Sequence, residues 1–396
     1  MGKRVQTGLE VCLADRPALL HKKRFGLLCN QASTDRTLRH ARDLILNAFP
    51  GQLSCLFSPQ HGFFSARQDN MVESAHMTDP VSGLPVYSLY GETRKPYPEM
   101  FADIDCLLID LIDVGTRVYT FVWTVIYCLQ TAAETGTTVV ILDRPNPLGG
   151  RMEGNILNMD CASFVGLWPI PMRHGLTVGE LALLCNREME IGADLHVIAA
   201  RGWRRDMLFS DTGLPWVFPS PNMPSTATAL VYPGQVIWEG TNISEGRGTT
   251  LPFELFGAPF LDTPALLAHL DPDDLAGCLL RPLVFEPTSG KWAGENCQGF
   301  QLHVMDTTTF KPYRTSLVLL QAIMTLYPEQ FAYKQPPYEY EFERLPMDLI
   351  LGSRQARQGL EQGVPVAELE QDWQEELGTY QDRCRSVLLY GPEEIG

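Results

Sequence analysis

The segment "EGTNISEGRGTTLPFELFGAP" (239–259) sets Glu239, Glu245 and Arg247 among Gly, Thr, Asn and Ser. Carboxyl groups can exchange protons, and a guanidinium can grip an anion through two parallel hydrogen bonds. The stretch has neither the apolar rhythm of a helix nor the alternation of a strand. Loops this long inside a compact domain are either functional or disordered. Mixed charge and three glycines (Gly240, Gly246, Gly248), which permit positive φ and close approach, favour a loop facing a cleft. Glu239, Asn242, Glu245 and Arg247 are expected to point into that cleft, against the alternative of a bare crossover between domains. Just before it, "PSPNMPS" (219–225) is stiffened by proline and would fix Asn222 at little entropic cost.

A second set of polar residues follows apolar runs that read as buried strands. The run 24–29 ends in Asn30 and Gln31, and 53–57 leads into "SPQHGFF" with Gln60 and His61. The run 106–112 contains Asp110 and leads to Asp113, Gly115 and Arg117; 137–142 leads to Asp143, Arg144 and Asn146. In open parallel sheets ligands bind outside the carboxyl ends of the strands, so these residues are expected on one edge around a shared pocket. Turn chemistry alone accounts for Gly, Asp and Asn there, but not for Arg, His and Gln as well. Arg173 and His174 precede Thr177 and Glu180, which have capping-box spacing; they either reach the site or orient that helix.

The elements that must carry these residues alternate in the first part of the chain. Helical patterns over 36–49, 98–104, 117–136 (stopped by Gly136) and 177–191 separate strand patterns at 24–29, 53–58, 84–90, 106–112 and 137–143. Nearly continuous Val/Ile/Leu strands separated by helices predict an α/β fold with a parallel sheet covered on both faces. Pro and Gly then crowd 212–260. Beyond it a strand at 299–306, a helix at 315–327 and one long amphipathic helix at 366–390 predict a smaller α+β domain. The boundary is placed near residue 228, giving domains 1–228 and 229–396. The Arg and Glu residues of 341–344 are expected on the surface.

Bulk properties remove several classes of function. With 396 residues, 45% of them hydrophobic, the chain has ample material for two cores. A net charge of −16 disfavours nucleic acid, which rewards clustered Lys and Arg. An anionic substrate would need local arginines working against that field. The 10 cysteines form no C-x-x-C pair and sit in apolar contexts, which suits a reducing compartment. No run approaches membrane-spanning length and the first residues contain no leader-like apolar run, so a soluble cytoplasmic protein is expected. No G-x-G-x-x-G or Walker pattern follows a strand, and the spacings of His61, His174, Asp110 and Asp113 match no metal template. No cofactor or metal is therefore expected.

Read in order, "SPQHGFF", "LPVYSLYGETRKP", "IDVGTRVYTF", "LDRPNPLGG", "PIPMRHGLTVGELA", "PSPNMPS", "YPGQ" and "EGTNISEGRGTTLPFE" resemble the bacterial exo-acting β-N-acetylmuramidases, over most of residues 24–352. The resemblance implies a Rossmann-like N-terminal domain, a smaller C-terminal domain and a cleft between them. It also implies release of N-acetylmuramic acid from the non-reducing end of peptidoglycan fragments in cell-wall turnover or recycling. Many relatives carry Glu in the Pro-x-His-Gly segment. Here Gln60 stands there and cannot titrate, so the acid lies elsewhere or the chemistry is altered.

Glycoside hydrolysis commonly uses one protonated and one ionised carboxyl, though the 2-acetamido group of the substrate can replace the second. Glu73, Glu239, Glu245, Asp110 and Asp113 are the candidate carboxyls. Arg117, Arg144, Arg173 and Arg247 are candidates for the lactyl carboxylate of the sugar. Asn30, Gln60, His61, Tyr119, Asp143, Asn146, His174, Asn222 and Asn242 complete the candidate binding set. Retaining, inverting and substrate-assisted routes stay open, as does oligomeric state. A muropeptide- or sugar-binding protein without turnover, and a metal- or nucleotide-dependent transferase, are the competing readings.

Overall fold

In the computed structural model of the protein, residues 4–67 and 71–391 are described. The first part contains β1 (Phe25–Cys29), β2 (Leu53–Ser58), β3 (Met77–Thr78), β4 (Pro85–Ser88), β5 (Cys106–Asp110), β6 (Thr138–Leu142), β7 (Glu153–Ile156), β8 (Pro171–Arg173) and β9 (Leu195–Ile198). Seven of these form one sheet in the order β3-β4-β2-β1-β5-β6-β9. All neighbours run parallel except the β3–β4 pair. The strands are apolar on both faces because both faces are covered. Phe25, Leu27 and Cys29 of β1 pack in one core with Leu9 and Cys12 of α1 (Gly8–Asp15) and Ile45 of α2 (Ala41–Ala48). Leu28 and, from β5, Leu107 and Ile109 face the other core, with α3 (Phe121–Thr135) and α4 (Val178–Glu188).

The caps read from sequence are in place. Thr177 and Glu180 close a reciprocal capping box on α4, and Gly136 ends α3 in the left-handed conformation at φ 70°. α2 begins only at Ala41, because the chain before it is a turn gathered by Asp35, and His40 caps the helix from its ring nitrogen. β7 and β8 pair antiparallel apart from the large sheet.

The second part holds α5 (Thr226–Gln235), a 3-10 turn over Val236–Gly240, β10 (Leu255–Ala258), α6 (Thr263–His269), β11 (Cys278–Phe285), β12 (Cys297–Val304) and α7 (Pro312–Leu326). Its sheet is antiparallel, in the order β10-β12-β11. The helix expected over 366–390 is two helices, Val366–Asp372 and Gln374–Cys384, followed by a 3-10 turn. The break falls at Trp373, which is buried, with its ring centroid 6.1 Å from that of Tyr313.

The segment 239–259 is neither uncovered nor wholly irregular. Its last residues form β10, and Ser244 exchanges backbone hydrogen bonds with Gly257 (2.8 and 3.1 Å). Glu239, Thr241, Ser244 and Glu245 are buried. Gly246 and Gly248 take the expected positive φ (78° and 77°); Gly240 does not, and instead lets Met347 approach the backbone. All ten cysteines are free and buried, and no described helix is long and apolar enough to cross a membrane.

The C-terminal end returns to the large sheet. The Tyr390 hydroxyl donates to Asp143 (2.6 Å) and accepts from the Ala200 amide (2.9 Å). Burial pushes the Asp143 carboxyl up to about 6, against the donors Tyr390, Thr177 and Gly179 that favour its charged form. Tyr390→Phe orphans the Ala200 amide and removes one donor from Asp143, and is expected to cost roughly 1–3 kcal/mol. Losing that donor raises the Asp143 pKa further, so the loss should be larger at pH 8 than at pH 5. Urea unfolding of both proteins at the two pH values checks this.

Candidate active site

The turn after β2 and the segment between β5 and α3 form one wall of a narrow pocket. They contribute Gln60 and His61, and Tyr119 and Thr120 respectively. Ser220 and Asn222 come from the proline-stiffened segment, and Tyr232 from α5. Glu239, Arg247, Phe253, Tyr338 and Glu339 close the opposite wall. A wider depression adjoins it, lined by Asn242, Glu245, Lys291, Trp292 and Lys334, and Glu239 and Arg247 line both.

Four charges alternate along this second wall. Arg247 donates to Glu239 (Nη2–Oε1 2.6 Å) and lies 3.2 Å from Glu245 through Nε; Lys291 reaches Glu245 at 2.8 Å. Tyr338 donates its hydroxyl to the other oxygen of Glu239 at 2.7 Å. Burial alone would raise the Glu245 carboxyl, but Lys291 and Arg247 overcome that and hold it below the ordinary Glu value. Burial lowers the Lys291 ammonium, and Glu245 opposes the shift. The Arg247 guanidinium also stands 5.4 Å from the centre of the Phe253 ring.

Glu339 sits in a neutral polar cluster instead. It accepts from Gln60 Nε2 (3.0 Å) and from the Tyr90 hydroxyl (2.6 Å). Gln60 Nε2 also donates to Tyr90 (3.0 Å), while Gln60 Oε1 accepts from the Thr120 hydroxyl. Burial pushes Glu339 up to about 7; Tyr90 and Gln60 pull it down and the nearby Glu239 charge pushes it up again. His61 goes the other way, driven down to about 4 by burial. Its Nδ1 is 2.6 Å from the Arg67 carbonyl, which can only accept, so Nδ1 carries the hydrogen and Nε2 is bare. His61, Phe253, Glu339 and Tyr340 all hold positive φ (69°, 63°, 46° and 66°). Non-glycine residues in that region are strained and gather at functional sites.

The residues expected from sequence divide. Gln60, His61, Tyr119, Asn222, Glu239 and Arg247 line the pocket; Asn242 and Glu245 line the depression. Glu73 is exposed, 3.5 Å from the Tyr340 hydroxyl. The strand ends do share one edge, but most of their polar groups are consumed in closing strand–helix turns. Asp110 forms a buried ion pair with Arg144 (Nη2–Oδ2 2.8 Å). Asp113 accepts from the Gly115 amide (2.7 Å) and from His174 (3.1 Å). Asn146 donates to the Leu176 carbonyl (2.8 Å), and Arg173 to that of Leu148. Asp143 holds the start of α4 and Tyr390. Asn30 donates to the Pro219 carbonyl (2.9 Å) and so fixes the segment that carries Ser220 and Asn222. Among the described residues no three His, Cys, Asp or Glu side chains gather as metal ligands.

Arg117 is the largest departure from expectation. Its fully buried guanidinium binds no carboxylate and donates to the carbonyls of Asn155 (2.9 Å), Ile170 (3.0 Å), Ile350 (3.0 Å) and Leu351 (2.7 Å). Burial lowers its pKa to about 10. Glu339, Tyr90, Thr120, Tyr338 and Lys291 were not anticipated from sequence. The one signal was the alternation of aromatic and acidic residues in "YEYEFE" (338–343).

Fold and pocket together define a two-part α/β protein with a buried, carboxylate-lined site where the parts meet. The chain belongs to the exo-β-N-acetylmuramidase NamZ family. The family's N-terminal model ("Exo-beta-N-acetylmuramidase NamZ, N-terminal") matches residues 25–227, and its C-terminal model matches 230–390. It is 41% identical over 388 residues to the peptidoglycan β-N-acetylmuramidase NamZ of Bacillus subtilis, covering 98% of this chain and 92% of that one. It is also similar to two crystal structures of DUF1343 family proteins from Bacteroides fragilis. One has a TM-score of 0.87 at 32% identity, covering 98% of this chain and 99% of the other. The second has a TM-score of 0.75 at 27% identity, covering 99% and 100%.

Arg117→Met should unfold at a markedly lower denaturant concentration, since it leaves four buried carbonyls without their donor, a loss of roughly 2–5 kcal/mol. A lactyl-binding role would instead raise KM in a protein of unchanged stability. Chemical denaturation alongside KM on the folded protein separates the two.

Proposed function

We propose that the protein is an exo-acting β-N-acetylmuramidase, releasing N-acetylmuramic acid from the non-reducing end of peptidoglycan fragments. The observation that carries this reading is Glu239, buried between Arg247 and Tyr338 in a pocket that also holds a second carboxyl, Glu339. Two carboxyl groups in unlike surroundings are what glycosidic cleavage asks of a protein. Arg247 and Tyr338 orient Glu239, a carboxyl placed to steady positive charge at the anomeric carbon or to activate water. Tyr119, Ser220, Asn222 and His61 supply neutral hydrogen-bonding groups for hydroxyl and acetamido substituents. Lys291 and Lys334 bring positive charge to the outer depression, where an anionic substituent would meet it despite the acidic chain.

The domain division is taken at residue 228, with 1–228 supplying the Gln60–Thr120 wall and 229–396 the Glu239–Glu339 wall. Ten buried free thiols support a reducing, cytoplasmic setting, which fits recycling of imported fragments.

Purified protein should hydrolyse a chromogenic β-N-acetylmuraminide equally well with and without EDTA. Glu239→Gln should lower kcat by about two to four decades while shifting the melting temperature only slightly. Tight binding of the sugar without turnover would identify a binding protein, and loss of turnover with chelator a metal-dependent enzyme.

A further inference from the structure

Gln60 poses a chemical question: if this position cannot titrate, which group protonates the leaving oxygen? We propose that Glu339 is the proton donor, held in place by a hydrogen-bond chain that runs Thr120 to Gln60 to Tyr90 and converges on its carboxyl. This rests on the muramidase reading and names the acid of that site.

The chain has a fixed direction. The Thr120 hydroxyl donates to Gln60 Oε1, so Nε2 faces the other way and gives one hydrogen to Tyr90 and one to Glu339. The Tyr90 hydroxyl, accepting from Gln60 and from the Met71 amide (2.9 Å), spends its own hydrogen on the second oxygen of Glu339. Each carboxyl oxygen thus accepts one bond and keeps a lone pair for the proton to be delivered. A carboxylate at position 60 could not supply those two donors and would place a second negative charge beside Glu339. The amide makes Glu339 the only titrating group of its cluster below the Tyr90 phenol. Burial pushes it up to about 7, outweighing the two donors and the Arg247 charge, and the Glu239 charge adds to the rise. Glu239, bonded to Arg247, is the second carboxyl of the pocket. The turn that presents Glu339 is held in a left-handed conformation at both Glu339 and Tyr340.

In the reaction, the bond between the anomeric carbon and the glycosidic oxygen breaks, and that oxygen takes the Glu339 proton and departs as a hydroxyl. A water oxygen then joins the anomeric carbon, and the proton that water loses returns, through a pocket carboxylate or solvent, to Glu339 and restores its acid form. One water is consumed and the protein ends unchanged. Tyr90 and Gln60 are positioning residues: they act through their hydrogen bonds to Glu339.

The test compares leaving groups. With a disaccharide whose leaving group is a sugar alcohol, Glu339→Gln should reduce kcat by about two to four decades. With a dinitrophenyl β-N-acetylmuraminide, whose phenolate departs without a proton, the loss should be about tenfold or less. Wild-type activity on the disaccharide should fall as pH rises through about 7. Tyr90→Phe, which removes a donor favouring the charged form, should move that limb to higher pH. Equal losses on both substrates, or no loss on either, would overturn the assignment while leaving the muramidase reading intact. A wild-type protein inactive on both substrates would instead overturn the muramidase reading itself. Should Glu339→Gln not fold, Glu339→Asp must show the same dependence on leaving group.

Discussion

The geometry of the site depends on one buried cation. Arg117 lies two residues before Tyr119 and three before Thr120, on one wall of the pocket. Its guanidinium ends on the carbonyls of Ile350 and Leu351, in the helix that follows the Glu339 turn on the other wall. Its own carbonyl accepts from the indole of Trp123 (2.7 Å), in the first turn of α3. The two walls are therefore fastened to each other through a side chain that lies outside the pocket lining. Among the described residues no carboxylate bonds to it, and four backbone carbonyls surround its charge. Such a group tolerates little displacement, because any lost bond leaves a charge or a carbonyl stranded in apolar surroundings.

Within that frame, three buried glutamates have three different partners. Glu245 is held charged by Lys291 and Arg247 in spite of its burial. Glu239 is gripped by Arg247 and Tyr338. Glu339 has only neutral donors and is pushed up to about 7. The chemical type is the same; only the surroundings differ. Arg247 couples the pocket to the outer depression, since it bonds Glu239 on one side and Glu245 on the other. The global charge of −16 has little bearing at this range, because buried neighbours are screened far less than surface ones.

Strain gathers at the same place. His61, Phe253, Glu339 and Tyr340 hold left-handed backbone without being glycine. Each is held by its neighbours: His61 by the Arg67 carbonyl, Phe253 by Tyr232 (4.8 Å between centroids) and Arg247, Glu339 by Gln60 and Tyr90, and Tyr340 by the Arg94 guanidinium 3.2 Å above its ring. Rigid surroundings of this kind place reacting groups before the substrate arrives, which is how fixed dipoles and acids act without reorganising.

The sequence alone determined the scaffold. Continuous apolar strands with polar ends can only be a covered parallel sheet, and Thr177, Glu180 and Gly136 mark helix ends through local hydrogen bonds and backbone sterics. It also showed that the segment around Glu239 and Arg247 carries no core periodicity. What only tertiary structure decided is which polar groups face the ligand. Asp110, Asp143, Arg117 and Arg173 have the same side chains whether they close a turn or line a pocket, and the difference lies in partners far along the chain. Glu339 is the sharpest case. It reads like Glu341 and Glu343 beside it, yet it meets Gln60 across 279 residues and loses its water there. Burial and neighbours set whether a carboxyl is charged, and neither is a property of local sequence.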